Sequence, residues 1–382
     1  MRKCFIISLF ISTFLTQISF AQTDIRDSLI TTGIDQIYSI KFKLSESTFQ
    51  TLKNNFPSDL SSTFFLTMID WWRILLNTTN EKYDDGFLIK LNNIIEKCDS
   101  ILDKEPNNVD VLFFKGGAIG FRGRLRALRH SWLKAADDGR LALPIIQKVT
   151  SLDPNNYDAI FGLGIYNYYA SILPDKYPIL KPFMLFMPST DKDEGIRQVK
   201  LTAEKGKYAK YEANYFLMLI YFLDENKPFE SYKYASLLAK KFPDNPVFEK
   251  WKGRIASKVG NSLTASEIFK NVLLKGQNKM MGYDDDITIR EALYYIADQY
   301  WRTNKIDSSK ILFEKCVDYS KKIDSDKGEG FYVNALIYLG MIQDVKNNRK
   351  AAIEYYKKVL DMDNYKQSHE LAEKYLETPF KK

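Results

Sequence analysis

The chain has 382 residues, 45% hydrophobic and 27% charged, which excludes a disordered or fibrous chain. Gly (18) and Pro (12) are scarce beside Phe (25) and Tyr (24), which argues against a turn-rich all-β fold and for helices. With 2 His, 3 Cys and a net charge of only +7, most metal and thiol chemistry is excluded and the charge reads as solubility.

Met1–Ala21 has the pattern of a secretory leader. Arg2 and Lys3 begin it, an apolar stretch runs from Cys4 to Leu15, and Ser19 and Ala21 place small residues before Gln22. The apolar run is short for a spanning helix and is broken by Ser12, Thr13, Thr16 and Gln17. Cys4 precedes the apolar core, away from the cleavage site, which argues against a lipid anchor. The expectation is an exported chain, periplasmic, envelope-associated or secreted. Loss of Arg2 and Lys3 would lower the charge to +5, and no nucleic-acid partner is expected. Cys98 and Cys316 are expected as two separate buried thiols.

Beyond the leader, four segments look alike: Phe56-Pro57-Ser58-Asp59, Glu105-Pro106-Asn107-Asn108, Asp153-Pro154-Asn155-Asn156 and Phe242-Pro243-Asp244-Asn245. In each, Pro ends one helical run and Asp or Asn caps the next. Small residues then set a phase. Gly33 is followed by Ser45 and Phe49, Gly253 by Ala265 and Phe269, Ala297 by Ser309 and Phe313, and Gly340 by Ala352 and Tyr356, always at +12 and +16. A small residue in a first helix lets a second helix approach, and the aromatic one turn further on fills the remaining space.

This spacing resembles the tetratricopeptide repeat, a helix–turn–helix unit of about 34 residues. Gly116 and Gly164 match its small position, and Asp158–Tyr166 is the best local match. The resemblance implies an all-α, right-handed solenoid of about eight helix pairs. Residues 22–206 form enlarged repeats with an insertion at 174–194, 207–364 form more regular ones, and 365–382 hold a capping helix and tail. Pro57, Pro106 and Pro154 are 49 and 48 residues apart, so the early units are enlarged. Pro174, Pro178, Pro182 and Pro188 are expected to break any plain helix from Leu173. The last pair is expected at Tyr332–Val345 and Arg349–Asp361, with a closing helix at Gln367–Leu376.

In this family the first helix of each pair lines a concave groove. The family's groove positions fall on Phe161, Ile165, Tyr168 and Tyr169, then Phe216 and Ile220, then Lys250, Arg254 and Lys258, and finally Tyr294, Trp301 and Arg302. The middle of the groove reads as apolar and its later part as basic, a candidate clamp for an acidic peptide or a carboxylate. Tyr177–Met187 lies beside it, and could fill it, leave it open or dip into a membrane surface.

Lys115–Trp132 stands out for Gly116, Gly120 and Gly123 beside four arginines. The glycines form a small-residue ridge for close helix contact. Arg122, Arg126 and Arg129 share a helix face, with two readings: a lattice of arginines and internal carboxylates, or an anion site. Leu112–Tyr169 is also similar to the tetratricopeptide repeat 39 type of protein, including mitochondrial outer-membrane relatives, a likeness that implies membrane-associated or protein-homeostasis roles.

No metal-ligand cluster, nucleophile elbow or phosphate loop is present, so no cofactor or metal is expected. The expected function is non-enzymatic: an exported interaction protein binding a peptide or protein segment in its groove. The alternatives are a membrane- or lipid-associated envelope component and, last, an enzyme built on the solenoid.

Overall fold

A computed structural model of the chain describes residues 24–184, 188–324, 328 and 330–382. The expected leader Met1–Ala21 lies outside the described residues, as do Leu185–Met187 of the insertion. Every regular element among the described residues is helical. One compact unit ends at Ile220 and a second spans Tyr221–Lys382.

The first unit holds α1 (24–38) with α2 (Phe42–Asn55), and α3 (Ser61–Leu76) with α4 (Asp84–Leu102). It continues with α5 (Val109–Leu128) and α6 (Trp132–Leu152), then α7 (Tyr157–Lys176), the four-residue α8 (Lys181–Met184), α9 (Lys192–Lys205) and α10 (Lys210–Leu219). The second unit holds α11 (Pro228–Lys241), then α12 (Pro246–Lys258) with α13 (Ser262–Gln277) and α14 (Asp286–Arg302) with α15 (Ile306–Ile323). It ends with α16 (Gly330–Val345), α17 (Arg349–Leu360) and the closing helix α18 (Ser368–Glu377). The fold is the expected all-α helical-repeat solenoid.

The proline-containing segments work as their composition suggests. Asn108, Asn156 and Asn245 accept the N–H groups of Val111 (3.1 Å), Ala159 (3.0 Å) and Val247 (3.0 Å), and Asp59 accepts that of Ser61 (2.7 Å). Each satisfies a donor that the first turn of a helix leaves unpaired.

The small–small–aromatic phase is a packing device. A β-carbon at Gly253 would lie 2.6 Å from the Phe269 ring, and one at Gly33 or Gly340 would overlap Phe49 or Tyr356. Where the +12 residue is serine it adds a second tie: Ser45 Oγ donates to the Gly33 carbonyl at 3.0 Å and Ser309 Oγ to that of Ala297 at 2.9 Å. Phe49, Phe269, Phe313 and Tyr356 are all fully buried.

Enlargement of the early repeats takes the form of longer helices: α4 to α7 have 19, 20, 21 and 20 residues. The insertion departs from expectation. Helix α7 does not stop at Leu173 but runs through Pro174 to Lys176. A proline in the last turn removes a single N–H bond and leaves little helix beyond it to disrupt. Pro178–Leu180 then forms a 3-10 turn. Tyr177 stacks on Trp132 of α6 at 4.0 Å and Leu180 is buried, so the start of this segment is held at the α6–α7 corner.

Candidate functional site

In the first unit the first helices of the pairs converge. Tyr38 of α1 meets Trp72 of α3 at 4.8 Å and Tyr211 of α10 at 5.4 Å between ring centres. Its hydroxyl donates to Glu212 Oε2 at 2.7 Å. Arg124 of α5 pairs with the same Glu212, its guanidinium 4.5 Å from the ring centres of both Trp71 and Phe216. Phe161 and Tyr169 of α7 pack edge-on against Phe216 at 5.4 and 6.2 Å.

The inner face of this unit is therefore filled by its own side chains. Of the apolar residues expected to line an open groove, Tyr168, Phe216 and Ile220 are buried, and Phe161, Ile165 and Tyr169 are half-buried. The Tyr168 backbone lies against Gly195 of α9, and its ring meets that of Tyr169 edge-on at 5.1 Å. Family positions assume an open superhelix; here α1 reaches α10 and closes the face. Burial next to Glu212 pushes the Tyr38 phenol well above its usual range. Arg124 was missed in the sequence, although it continues the face of Gly117 and Phe121 by one turn of a lengthened helix.

The candidate anion site is corrected in the same way. Arg122 and Arg126 both donate to the buried carboxylate of Asp138, at 2.7–2.9 Å. Arg129 donates to Asp84 at 2.5 and 3.0 Å and to the Thr78 carbonyl at 2.5 Å. The three arginines brace α4, α5 and α6, the lattice reading of this segment. The glycine ridge is real at two of three positions: Gly116 faces Ile146 and Gly123 faces Asp138, but Gly120 faces open space.

In the second unit the expected basic triad is not presented together. Lys250 is buried and donates to Thr288 Oγ1 at 2.6 Å, and desolvation lowers the pKa of its ammonium. Arg254 forms a two-pronged pair with Glu291, its terminal nitrogen 2.6 Å from Oε2. Lys258 alone of the three is exposed. The partners of the first two come from α14, nearly forty residues on, and no local spacing reports them.

What the second unit does present is a cleft of about 730 Å³ between α14 and α16, bounded by the turn into α18. Tyr294, Tyr295, Phe331 and Tyr338 give it an aromatic wall, with Tyr294 5.2 Å from Phe331 and 6.3 Å from Tyr338. Phe313 stacks behind Tyr338 at 4.7 Å and fixes its plane. Asp298 accepts from the Tyr338 hydroxyl (3.1 Å) and from Arg302 Nε (2.7 Å). The Arg302 side chain remains 54% exposed at the rim. Asn334 lines the same cleft, and its carboxamide has no hydrogen-bond partner among the described residues. Burial, with Asp298 nearby, raises the Tyr338 phenol above its usual range. Tyr294 and Arg302 were expected here. Trp301 is instead buried beneath the carboxy-terminal tail. Tyr295, Phe331, Asn334 and Tyr338 were not foreseen; extending the groove positions to the pair at 333 would have found Asn334.

A family model described as a tetratricopeptide repeat matches residues 333–366, the α16–α17 pair and the turn beyond it. The crystal structure of the APC/C hetero-tetramer Cut9–Hcn1 is similar over 90% of this chain, with a TM-score of 0.51 at 13% identity. The chain carries a tetratricopeptide repeat at residues 333–366 and folds as a tetratricopeptide-type solenoid. It spans about half, 54%, of the Cut9–Hcn1 chain it matches. PilF of Pseudomonas aeruginosa is similar over 64% of this chain and 90% of its own, with a TM-score of 0.40 and 13% identity. No curated protein matches the sequence. Among the described residues, no helix is long and apolar enough to cross a membrane.

Proposed function

We propose that this tetratricopeptide-repeat protein is an exported interaction scaffold whose second unit binds an extended segment of a partner protein in the cleft between α14 and α16. The observation that carries the reading is the combination in that cleft. An aromatic wall supplies apolar contact, the Asn334 carboxamide can donate to and accept from a peptide backbone, and Arg302 at the rim suits an acidic group. Its volume of about 730 Å³ lies within the range of clefts that hold a drug-sized ligand. Export rests on the pattern of Met1–Ala21.

The reading is tested with a photo-crosslinking residue placed at Asn334 and, as a control, at exposed Ile311 on α15. Partner adducts are expected from Asn334 and not from Ile311, and Asn334→Ala should weaken capture of that partner about tenfold or more. Equal labelling from both positions would sink the cleft assignment. Sequenced from its amino terminus, the exported form should begin at Gln22; retention of Met1 would remove the export half of the proposal.

A further inference from the structure

A second surface lies at the carboxy-terminal ends of α14 and α16. The chain leaves α18 extended at Thr378, and Pro379 prevents a return to helix. The Phe380 N–H donates to Asp344 Oδ2 at 2.9 Å. The Phe380 ring lies 5.8 Å from that of Trp301 and meets Tyr375 edge-on at 5.4 Å. Lys382 Nζ stands 4.2 Å over the Trp301 ring, donates to the Trp301 carbonyl and lies 3.3 Å from Asn304 Oδ1.

The receiving groups are built, not incidental. Asp344 is a buried carboxylate oriented by Arg349 (3.0 Å) and the Tyr356 hydroxyl (3.0 Å). It offers an acceptor to a main-chain N–H, which any peptide can supply. Trp301 offers a face to an aromatic ring and to a cation. The Trp301 carbonyl ends a helix, where partial negative charge favours an ammonium. Trp301 and Asp344 are 43 residues apart, the same interval as Ala297 and Gly340, so they hold the same place in successive first helices, a place that faces the groove in this family.

We infer that this surface recognises a partner segment bearing an aromatic residue and, two places on, a lysine or arginine, and that residues 378–382 are its occupant in cis. The inference rests on the reading of this unit as a partner-binding scaffold. A tail tethered this closely has an effective concentration on the order of millimolar. With a dissociation constant of the tail itself on the order of 1–100 micromolar, a partner segment is therefore held back roughly ten- to thousandfold until the tail yields.

The test uses the full chain and a fluorescent peptide of residues 377–382, acetylated and amidated, read by anisotropy. The variant F380A/K382A should bind it at least tenfold more tightly than the unaltered chain. Peptides carrying Phe380→Ala or Lys382→Glu should lose that gain. Equally weak binding by both chains, or equal binding of the altered peptides, overturns the inference. If the double variant does not fold, Lys382→Gln, which removes the ammonium over Trp301 and leaves Phe380 in place, carries the same comparison with about a threefold gain expected. If tail variants leave both peptide binding and Asn334 crosslinking unchanged, the cleft reading stands and the tail inference falls. Peptide binding without crosslinking at Asn334 gives the reverse.

Discussion

At Gly340 a β-carbon would overlap the ring of Tyr356, while at Gly120, exposed in the middle of α5, it would meet nothing within 4 Å. The same added methyl should therefore act with opposite sign. Gly340→Ala is expected to destabilise by about 1–3 kcal/mol, because a packed aromatic must move. Gly120→Ala is expected to stabilise by about 0.5–1 kcal/mol through helix propensity and a less free unfolded chain. Urea unfolding midpoints check both, and shifts of the same sign would contradict the packing argument. The contrast also shows what a residue discloses in sequence. Gly340 was legible because its partner lies at a fixed short interval in the next helix. Gly120 looked alike, since composition does not say which side of a helix meets a neighbour. Lys250 and Arg254 were misread for a related reason: their periodicity is local, whereas Thr288 and Glu291, which engage them, are 38 and 37 residues away.

Among the elements, the lengthened helices of the first unit carry its least expected feature. An extra turn on α5 brings Arg124 to Glu212 on α10, and Tyr38 on α1 completes the group. Three helices far apart in sequence are joined through one carboxylate. Glu212→Gln keeps the shape but leaves Arg124 without its countercharge among aromatic rings. It should cost about 3–5 kcal/mol, the range for breaking a buried pair from one side. Arg124→Met combined with Glu212→Met should cost clearly less than the two changes summed. Thermal or urea unfolding of the four-member cycle measures this, and strict additivity would show that the two side chains do not act together. The helix-pair pattern and its phase were readable because they are set between adjacent helices. The closure of α1 on α10 was not, because it depends on small rotations summed over several pairs.

On the scale of the molecule, repeat stacking makes stability a sum of neighbour contacts, and this is why so much of the architecture was legible. Each pair needs only the next to bury its face, so the code is local and recurs. The cleft of the second unit was half legible for the same reason: Tyr294 and Arg302 follow the family's positions, whereas Tyr338 and Phe331 owe their place to the way α16 meets α14. The aromatic wealth that first argued for helices has a further effect in alkali. The phenols of Tyr38, Tyr294 and Tyr338 are held in their neutral form by burial beside one another or beside carboxylates. In the unfolded chain they ionise near pH 10. Their contribution to stability is thus complete below about pH 10 and falls as the pH rises beyond it, since only the unfolded chain then releases those protons. Tyrosinate absorbance followed in the near ultraviolet should lag behind that of the denatured chain and then rise abruptly with loss of helix. A smooth titration near pH 10 with helix intact would deny it. The inner faces of these repeats thus carry their own optical report of whether the packing is whole.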